Sequence, residues 1–154
     1  MKTKFLIVLL LTSFSASLSA QDINWMSLSE AEAVQKENPH KLYFIDFYTN
    51  WCGWCKKMDE STFKEAEVVK HINENYIPVK FNAETKEDVT FKGKVYKYVT
   101  ASNGRGINSF AYFSLKGRIS YPSYAVMNGE GETERLLLGF MPKETLLAGL
   151  TATE

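Results

Sequence analysis

Cysteine is scarce in this chain of 154 residues: only Cys52 and Cys55 are present, with just two histidines beside them. That excludes the densely cross-linked scaffolds of small secreted domains, which need several pairs. It also leaves a tetrahedral metal centre short of ligands, because neither His40 nor His71 stands in the spacing that completes a C-x-x-C site. Covalent haem would need histidine directly after the second cysteine, where Lys56 stands instead. No cofactor and no metal are therefore expected. Net charge is missing too, with 18 basic residues against 18 acidic. A nucleic-acid partner favours a strongly basic face, so none is expected. Repeats, linkers and low-complexity tracts are absent, and so is any apolar run beyond residue 20 that approaches the roughly 20 residues needed to span a bilayer.

What is present begins with a leader-like stretch. Lys2 and Lys4 precede the unbroken apolar run "FLIVLLL" (5–11), and the small residues of "SASLSA" (15–20) follow. This layout predicts a signal peptide over 1–20 and a single domain over 21–154, exported to a periplasmic or secreted location. Cleavage would remove two lysines and no acid, leaving 16 basic residues against 18 acidic. The remainder is long enough to bury a real core, and a monomer is expected.

The periodicity then sets out an α/β order. "MSLSEAEAVQKENPH" (26–40) reads as a helix, with a capping box from Ser27 and Glu30 or from Ser29 and Glu32, ended by Asn38-Pro39. "KLYFIDFYT" (41–49) suits a buried central strand whose one exception is Asp46. A helix follows from Cys52, with a restart at a Thr62–Glu65 capping box. "YIPVKFNA" (76–83) is a second strand, its first residues placed by Pro78 at an edge or outside the ladder. A hairpin over 89–100 turns at Lys92-Gly93, 102–106 is a loop, and 107–117 is a short helix closed by Gly117. Strands at 123–128 and 133–140 flank a tight turn at 129–131, and a last helix starts with Pro142 near its first position. The order implies a mixed sheet flanked by helices.

Cys52 and Cys55 are one helical turn apart, close enough to pair. A purely structural disulfide is disfavoured because the loop it closes is tiny and the entropic gain grows with loop length. A redox pair fits better. At a helix N-terminus Cys52 meets unpaired N–H groups and the positive end of the dipole, which stabilise a thiolate. It is expected to be the exposed nucleophile, with Cys55 more buried and resolving the mixed disulfide. Gly53 leaves the backbone approachable. Asp46, six residues before Cys52 in an apolar strand, is expected to have a raised pKa and to exchange a proton with Cys55. Trp51 is expected to be an exposed ring beside the nucleophile, while for Trp54 exposure and core packing are evenly balanced.

At these residues the chain resembles the thioredoxin superfamily. "DFYTNWCGWCK" (46–56) matches its active-site stretch at Asp46, Phe47, Trp51, Cys52, Gly53, Cys55 and Lys56, departing at Trp54, where thioredoxins proper have proline. "PVKFNAE" (78–84) is similar to the next strand, with Lys80 at the lysine near the buried acid. "SYPSYAVMNGEGE" (120–132) is similar to the cis-proline segment, with Pro122 at the proline and Tyr121 before it, and Gly139 matches a later glycine. The spacing around WCGWC is similar to a secreted bacterial thioredoxin-like subgroup. The resemblance covers roughly 25–154, apart from 89–117. It implies a thioredoxin fold with an inserted hairpin and helix before the cis-proline strand. It also implies that Pro122 packs beside the cysteine pair and that the Tyr121 backbone receives a substrate strand.

The expected function is thus thiol–disulfide exchange with protein thiols and disulfides. Cys52, Cys55, Asp46 and Lys80 carry the chemistry, and Trp51, Gly53, Trp54, Tyr121 and Pro122 orient the substrate. Asp46 and Lys80 favour a reductase or isomerase over an oxidase, with a membrane electron donor or acceptor renewing the pair. A redox-inert peptide-binding or chaperone module and a thiol-based metal chaperone are the alternatives. The aromatics of the extra segment, Phe91, Tyr96, Tyr98, Phe110, Tyr112 and Phe113, are expected mostly in the core.

Overall fold

The computed structural model describes residues 22–100 and 104–152, so the expected signal peptide lies outside the described residues. Helix α1 (Leu28–Glu37) begins at a capping box: the Ser27 hydroxyl accepts from the Glu30 amide while Glu30 accepts from the Ser27 amide. Strand β1 (Leu42–Tyr48) is apolar enough to be buried on both faces, and its five central residues are buried. Helix α2 (Gly53–Glu60), a single 3₁₀ turn (Thr62–Lys64) and α3 (Ala66–Asn75) then cross over to β2 (Tyr76–Asn82), which is what parallel pairing with β1 requires. Strands β7 (Ser123–Met127) and β8 (Thr133–Leu138) complete an antiparallel half, and α5 (Lys143–Thr151) closes the described chain. The sheet order is β2-β1-β7-β8.

Alternation along β1 splits the core in two. Tyr43, Ile45 and Phe47 join Leu28 and Ala31 of α1 on one face; Phe44 joins Met58, Val69, Ile72 and Leu146 from α2, α3 and α5 on the other. The same period of two places Asp46 with Phe44, on the face covered by α2 and α3.

Strand β2 is an edge strand, yet Pro78 lies inside its ladder opposite Phe44. The reason is direction. The Lys80 amide, two residues on, donates outward to the Met26 carbonyl at 3.3 Å, so the amide that proline lacks would also have pointed away from β1. The Met26 amide closes this outer side by donating to the Pro78 carbonyl at 3.1 Å.

Four expectations change. The Thr62–Glu65 capping box does not form: the buried Thr62 hydroxyl instead donates to the Met141 carbonyl at 2.7 Å, and α3 starts at Ala66, after an N-cap, Glu65, whose side chain makes no capping bond. The hairpin expected over 89–100 ends early. Strands β3 (Val89–Phe91) and β4 (Lys94–Tyr96) pair around Lys92 and Gly93, both at positive φ, while β5 (Tyr98–Thr100) pairs with β6 (Gly106–Asn108) in a second hairpin. Helix α4 (Ser109–Ser114) therefore starts later than expected, capped by Asn108, whose side chain accepts from the Phe110 amide. Strand β8 stops at Leu138 because Gly139 takes φ +85°.

The extra segment is half core and half surface. Phe91 and Phe110 are buried, and Phe110 meets Phe47, Phe81, Phe91 and Tyr96 at ring distances of 5.0–5.8 Å. Tyr96 and Tyr98 are half-buried, and Tyr112 and Phe113 are exposed, so the expectation of burial holds for only part of the set. Phe110→Ala is expected to cost about 3–5 kcal/mol, as for any large ring removed from a packed core. Tyr112→Ala should stay within about 1 kcal/mol. Urea denaturation of both variants checks this, and equal losses would mean that the insertion is not anchored through Phe110.

Candidate active site

Strand β1 delivers the chain to a short turn in which the Cys52 amide donates to the Thr49 carbonyl at 3.1 Å. Cys52 is then the N-cap of α2, in extended backbone conformation. Its Sγ accepts from the Cys55 amide at 3.1 Å. Cys52 and Cys55 form a disulfide with their Cα atoms 5.3 Å apart. An amide aimed at Sγ and the start of a helix both favour negative charge on Cys52 once the bond opens.

The expected contrast in exposure between the two cysteines is absent. Cys52 is 3% exposed and Cys55 4%, because the turn at Thr49 tucks Cys52 in and the disulfide holds its sulfur against the first turn of α2. Exposure belongs to the neighbours instead. Trp51 and Trp54 are 67% and 62% exposed. A Cβ added at Gly53 would meet nothing within 4 Å, so the backbone between the sulfurs is open to approach.

The two tryptophans reach opposite ends of the cis-proline region. Trp51 stands edge-on to Tyr121 at 6.0 Å and donates from Nε1 to Glu84 at 2.9 Å. Trp54 packs on Phe140 at 5.3 Å, which resolves its two balanced readings into an exposed ring with one covering partner. The Tyr121-Pro122 peptide is cis, and the Pro122 carbonyl accepts from the Gly139 amide at 2.8 Å.

Beneath this rim lies a buried charge system. Asp46 is 2% exposed, and across the parallel ladder its register partner is Lys80. Lys80 Nζ donates to Asp46 Oδ2 at 3.1 Å and also to Asp59 Oδ1. The rings of Trp25, Tyr48 and Phe63 surround the same ammonium at 5.1–5.9 Å. Burial pushes the Asp46 carboxyl up to about 6, against the pull of Lys80. Burial also opposes charge on Lys80, but Asp46 and Asp59 outweigh it and hold the pKa above the usual lysine value. Asp46 Oδ1 is buried without a hydrogen-bond partner, leaving one carboxylate oxygen with unused acceptor capacity.

Asp59, Glu84 and Phe140 went unassigned in the sequence reading. Asp59 had a legible signal, since it stands four residues after Cys55 on one helix face. Phe140 had none, because only the path of the chain after β8 brings it to Trp54. Among the described residues, no group of three or more His, Cys, Asp or Glu could hold a metal ion, and no helix is long and apolar enough to cross a membrane.

The pH dependence of stability follows from Asp46. An unfolded aspartate loses its proton near pH 4, whereas Asp46 in the folded chain keeps it to about 6. Between these values the folded state binds more protons, so its stability falls as pH rises through that window. Asp46→Asn removes the effect. The stability of the variant relative to wild type should therefore grow by about 2 kcal/mol between pH 4 and pH 7.5. Urea titrations at the two pH values measure it, and a difference independent of pH would contradict the assignment.

Known proteins with this arrangement were found at three levels. Residues 11–126 match the family model Thioredox_DsbH, described as "Protein of unknown function, DUF255". The thiol:disulfide interchange protein DsbD of Photorhabdus laumondii is 31% identical over 103 residues, covering 66% of this chain and 16% of DsbD, so the chain spans about a sixth of that relative. Among solved structures, a DsbH oxidoreductase superposes with TM-score 0.55 at 18% identity, covering 80% of this chain and 81% of that one. A thioredoxin from Thermus thermophilus superposes with TM-score 0.58 at 15% identity, covering 84% and 85%. The chain has the thioredoxin fold and belongs to the Thioredox_DsbH family.

Proposed function

We propose that this protein is an exported thiol–disulfide oxidoreductase acting on protein substrates, working as a reductase or isomerase rather than an oxidase. The observation that carries the reading is the Cys52–Cys55 disulfide at the head of α2, in a fold whose buried acid, Asp46, is poised near neutrality. The DsbD relative, named for thiol:disulfide interchange, supports the same chemistry here.

In the reducing direction the Cys52 thiolate attacks one sulfur of a substrate disulfide and releases the other as a thiolate. Cys55, deprotonated, then attacks Cys52, reforms the 52–55 disulfide and releases the second substrate thiolate. The substrate gains two electrons and the pair loses two. Asp46 is assigned to take up the proton of Cys55, and its pKa of about 6 places it partly protonated close to neutral pH, where acid–base exchange is most effective. Lys80, shared with Asp59, tempers Asp46. Pro122 and the Tyr121 backbone are assigned to receive the substrate strand, with Trp51, Gly53 and Trp54 as the surrounding rim. An electron donor of the membrane would return the pair to dithiol. The stretch over 1–20 supports export, which N-terminal sequencing of the mature protein tests.

Cys52→Ser is expected to abolish disulfide reduction of a protein substrate such as insulin. Cys55→Ala should instead accumulate mixed disulfides that a non-reducing gel resolves. Full activity of Cys52→Ser would replace this reading with the redox-inert module. Direction is read from the reduction potential of the pair, by equilibration with glutathione. A value near the roughly −270 mV of thioredoxin supports the reductase, and one near the roughly −120 mV of DsbA would reverse the assignment.

A further inference from the structure

Most of the large apolar side chains that this fold leaves exposed gather at one end. Trp54, Leu138 and Phe140 lie near Pro122 on the β8 side; Trp51, Val99, Tyr112, Phe113 and Ile119 lie on the other. The second group, with Tyr121 and Ile107, lines a groove of about 770 Å³. That volume accommodates several large side chains. The groove is a product of the insertion: β5, β6 and α4 supply its walls, and it opens against Trp51 and Tyr121, the residues next to Cys52 and Pro122.

Charge distinguishes this surface from the rest of the molecule. Between Asp88 and Glu130 the sequence holds six basic residues and no acid, although the whole chain balances 18 against 18. Two of the six are engaged away from the groove: Lys97 pairs with Asp88 at 3.3 Å and Lys92 donates to Gln35 at 3.1 Å. Others line or adjoin the groove. Lys94 Nζ lies 4.8 Å from the centroid of Phe113, Arg105 lines the groove, and the exposed Arg118 precedes Ile119. The one acid in the lining is Glu84, whose carboxylate accepts from Trp51.

We propose that this groove binds the polypeptide flanking a substrate cysteine, and that the flank it selects is extended, rich in large apolar side chains and acidic. The rings and Val99 take the apolar side chains, and Lys94 and Arg118 meet the acids. Continuity of the groove with Trp51 and Tyr121 then sets the bound cysteine beside Cys52. Charges on the rim of such a surface act mainly on encounter rate and partner choice, and salt weakens them. The assignment of a cysteine-bearing occupant rests on the disulfide-exchange reading above; the preference for apolar, acidic sequence rests on the groove alone.

The two are separated by measuring binding without redox chemistry. Dye-labelled short peptides with serine in place of cysteine are titrated against the full protein by fluorescence anisotropy. One carries aromatic and acidic residues, one aromatic and basic residues, and one acidic residues with serine for the aromatics. The first is expected to bind about tenfold tighter than either of the others at low ionic strength, with its lead over the basic peptide shrinking in high salt. The pair of substitutions Lys94→Glu and Arg118→Glu should reverse the order of the acidic and basic peptides. Equal affinities for the three peptides would overturn the proposal, as would an unchanged order in the charge-reversed protein. Displacement of the peptide by single-stranded oligo-dT at lower concentration would assign the groove to nucleic acid and overturn it too. If the order holds but the cysteine-bearing peptides exchange no disulfide, the groove stands and the oxidoreductase reading falls.

Discussion

The contact on which the site depends is the pairing of Asp46 with Lys80 across two neighbouring parallel strands. A carboxylate in the middle of a sheet is costly to desolvate, by several kcal/mol even after relaxation. Lys80 does not repay that cost in full, because its ammonium is divided between Asp46 and the more exposed Asp59. At an effective dielectric near 20, two charges about 4 Å apart attract by about 4 kcal/mol, which offsets only part of the desolvation. Desolvation outweighs the attraction, so the Asp46 carboxyl keeps its proton above the usual aspartate range, to a pKa of about 6. A lysine bound to Asp46 alone would hold the carboxyl lower; no lysine would leave it higher.

Strand β1 ties this balance to the rest of the fold. Its register against β2 sets Asp46 opposite Lys80, and its register against β7 sets Asp46 opposite Tyr124. Slipping either pairing by one residue would turn Asp46 toward α1 and Phe44 toward the opposite layer, disrupting both halves of the core at once. The stability of the sheet and the placement of the acid are therefore one constraint. The strand then runs directly into the turn at Thr49, so whatever fixes β1 also fixes the cap position of Cys52.

Much of this was readable because short-range chemistry dominates it. The apolar run with a single acid, the cysteine spacing and the Ser27–Glu30 cap all depend on residues within a few positions of one another, and the structure has each in place. Resemblance added Lys80 and the Tyr121-Pro122 peptide, which no local pattern would have joined to the cysteines. The errors fell where distant residues compete. Thr62 had a plausible local donor in the Glu65 amide, but its hydroxyl donates instead to the Met141 carbonyl, far along the chain. The second hairpin escaped because β5 and β6 are three residues each, too short for alternation to register. The exposure of Cys52 was misjudged because a helix-start position says nothing of how the preceding turn folds over it.

The insertion shows how one short helix can serve stability and recognition together. In α4 the buried side chains are Phe110, Ala111 and Ser114, and between them Tyr112 and Phe113 face outward. Phe110 fastens the helix to Phe47 of β1 and Phe81 of β2, the same strands that hold Asp46 and Lys80. The exposed pair is thereby held by a rigid anchor rather than a loop, and ordering it on binding costs little conformational entropy. Exposed rings on a mobile insertion would invite nonspecific association; fixed beside a redox centre, they can discriminate among partners by the sequence around the reacting cysteine. The insertion thus supplies what the disulfide lacks, since thiol chemistry alone does not distinguish one cysteine-bearing chain from another.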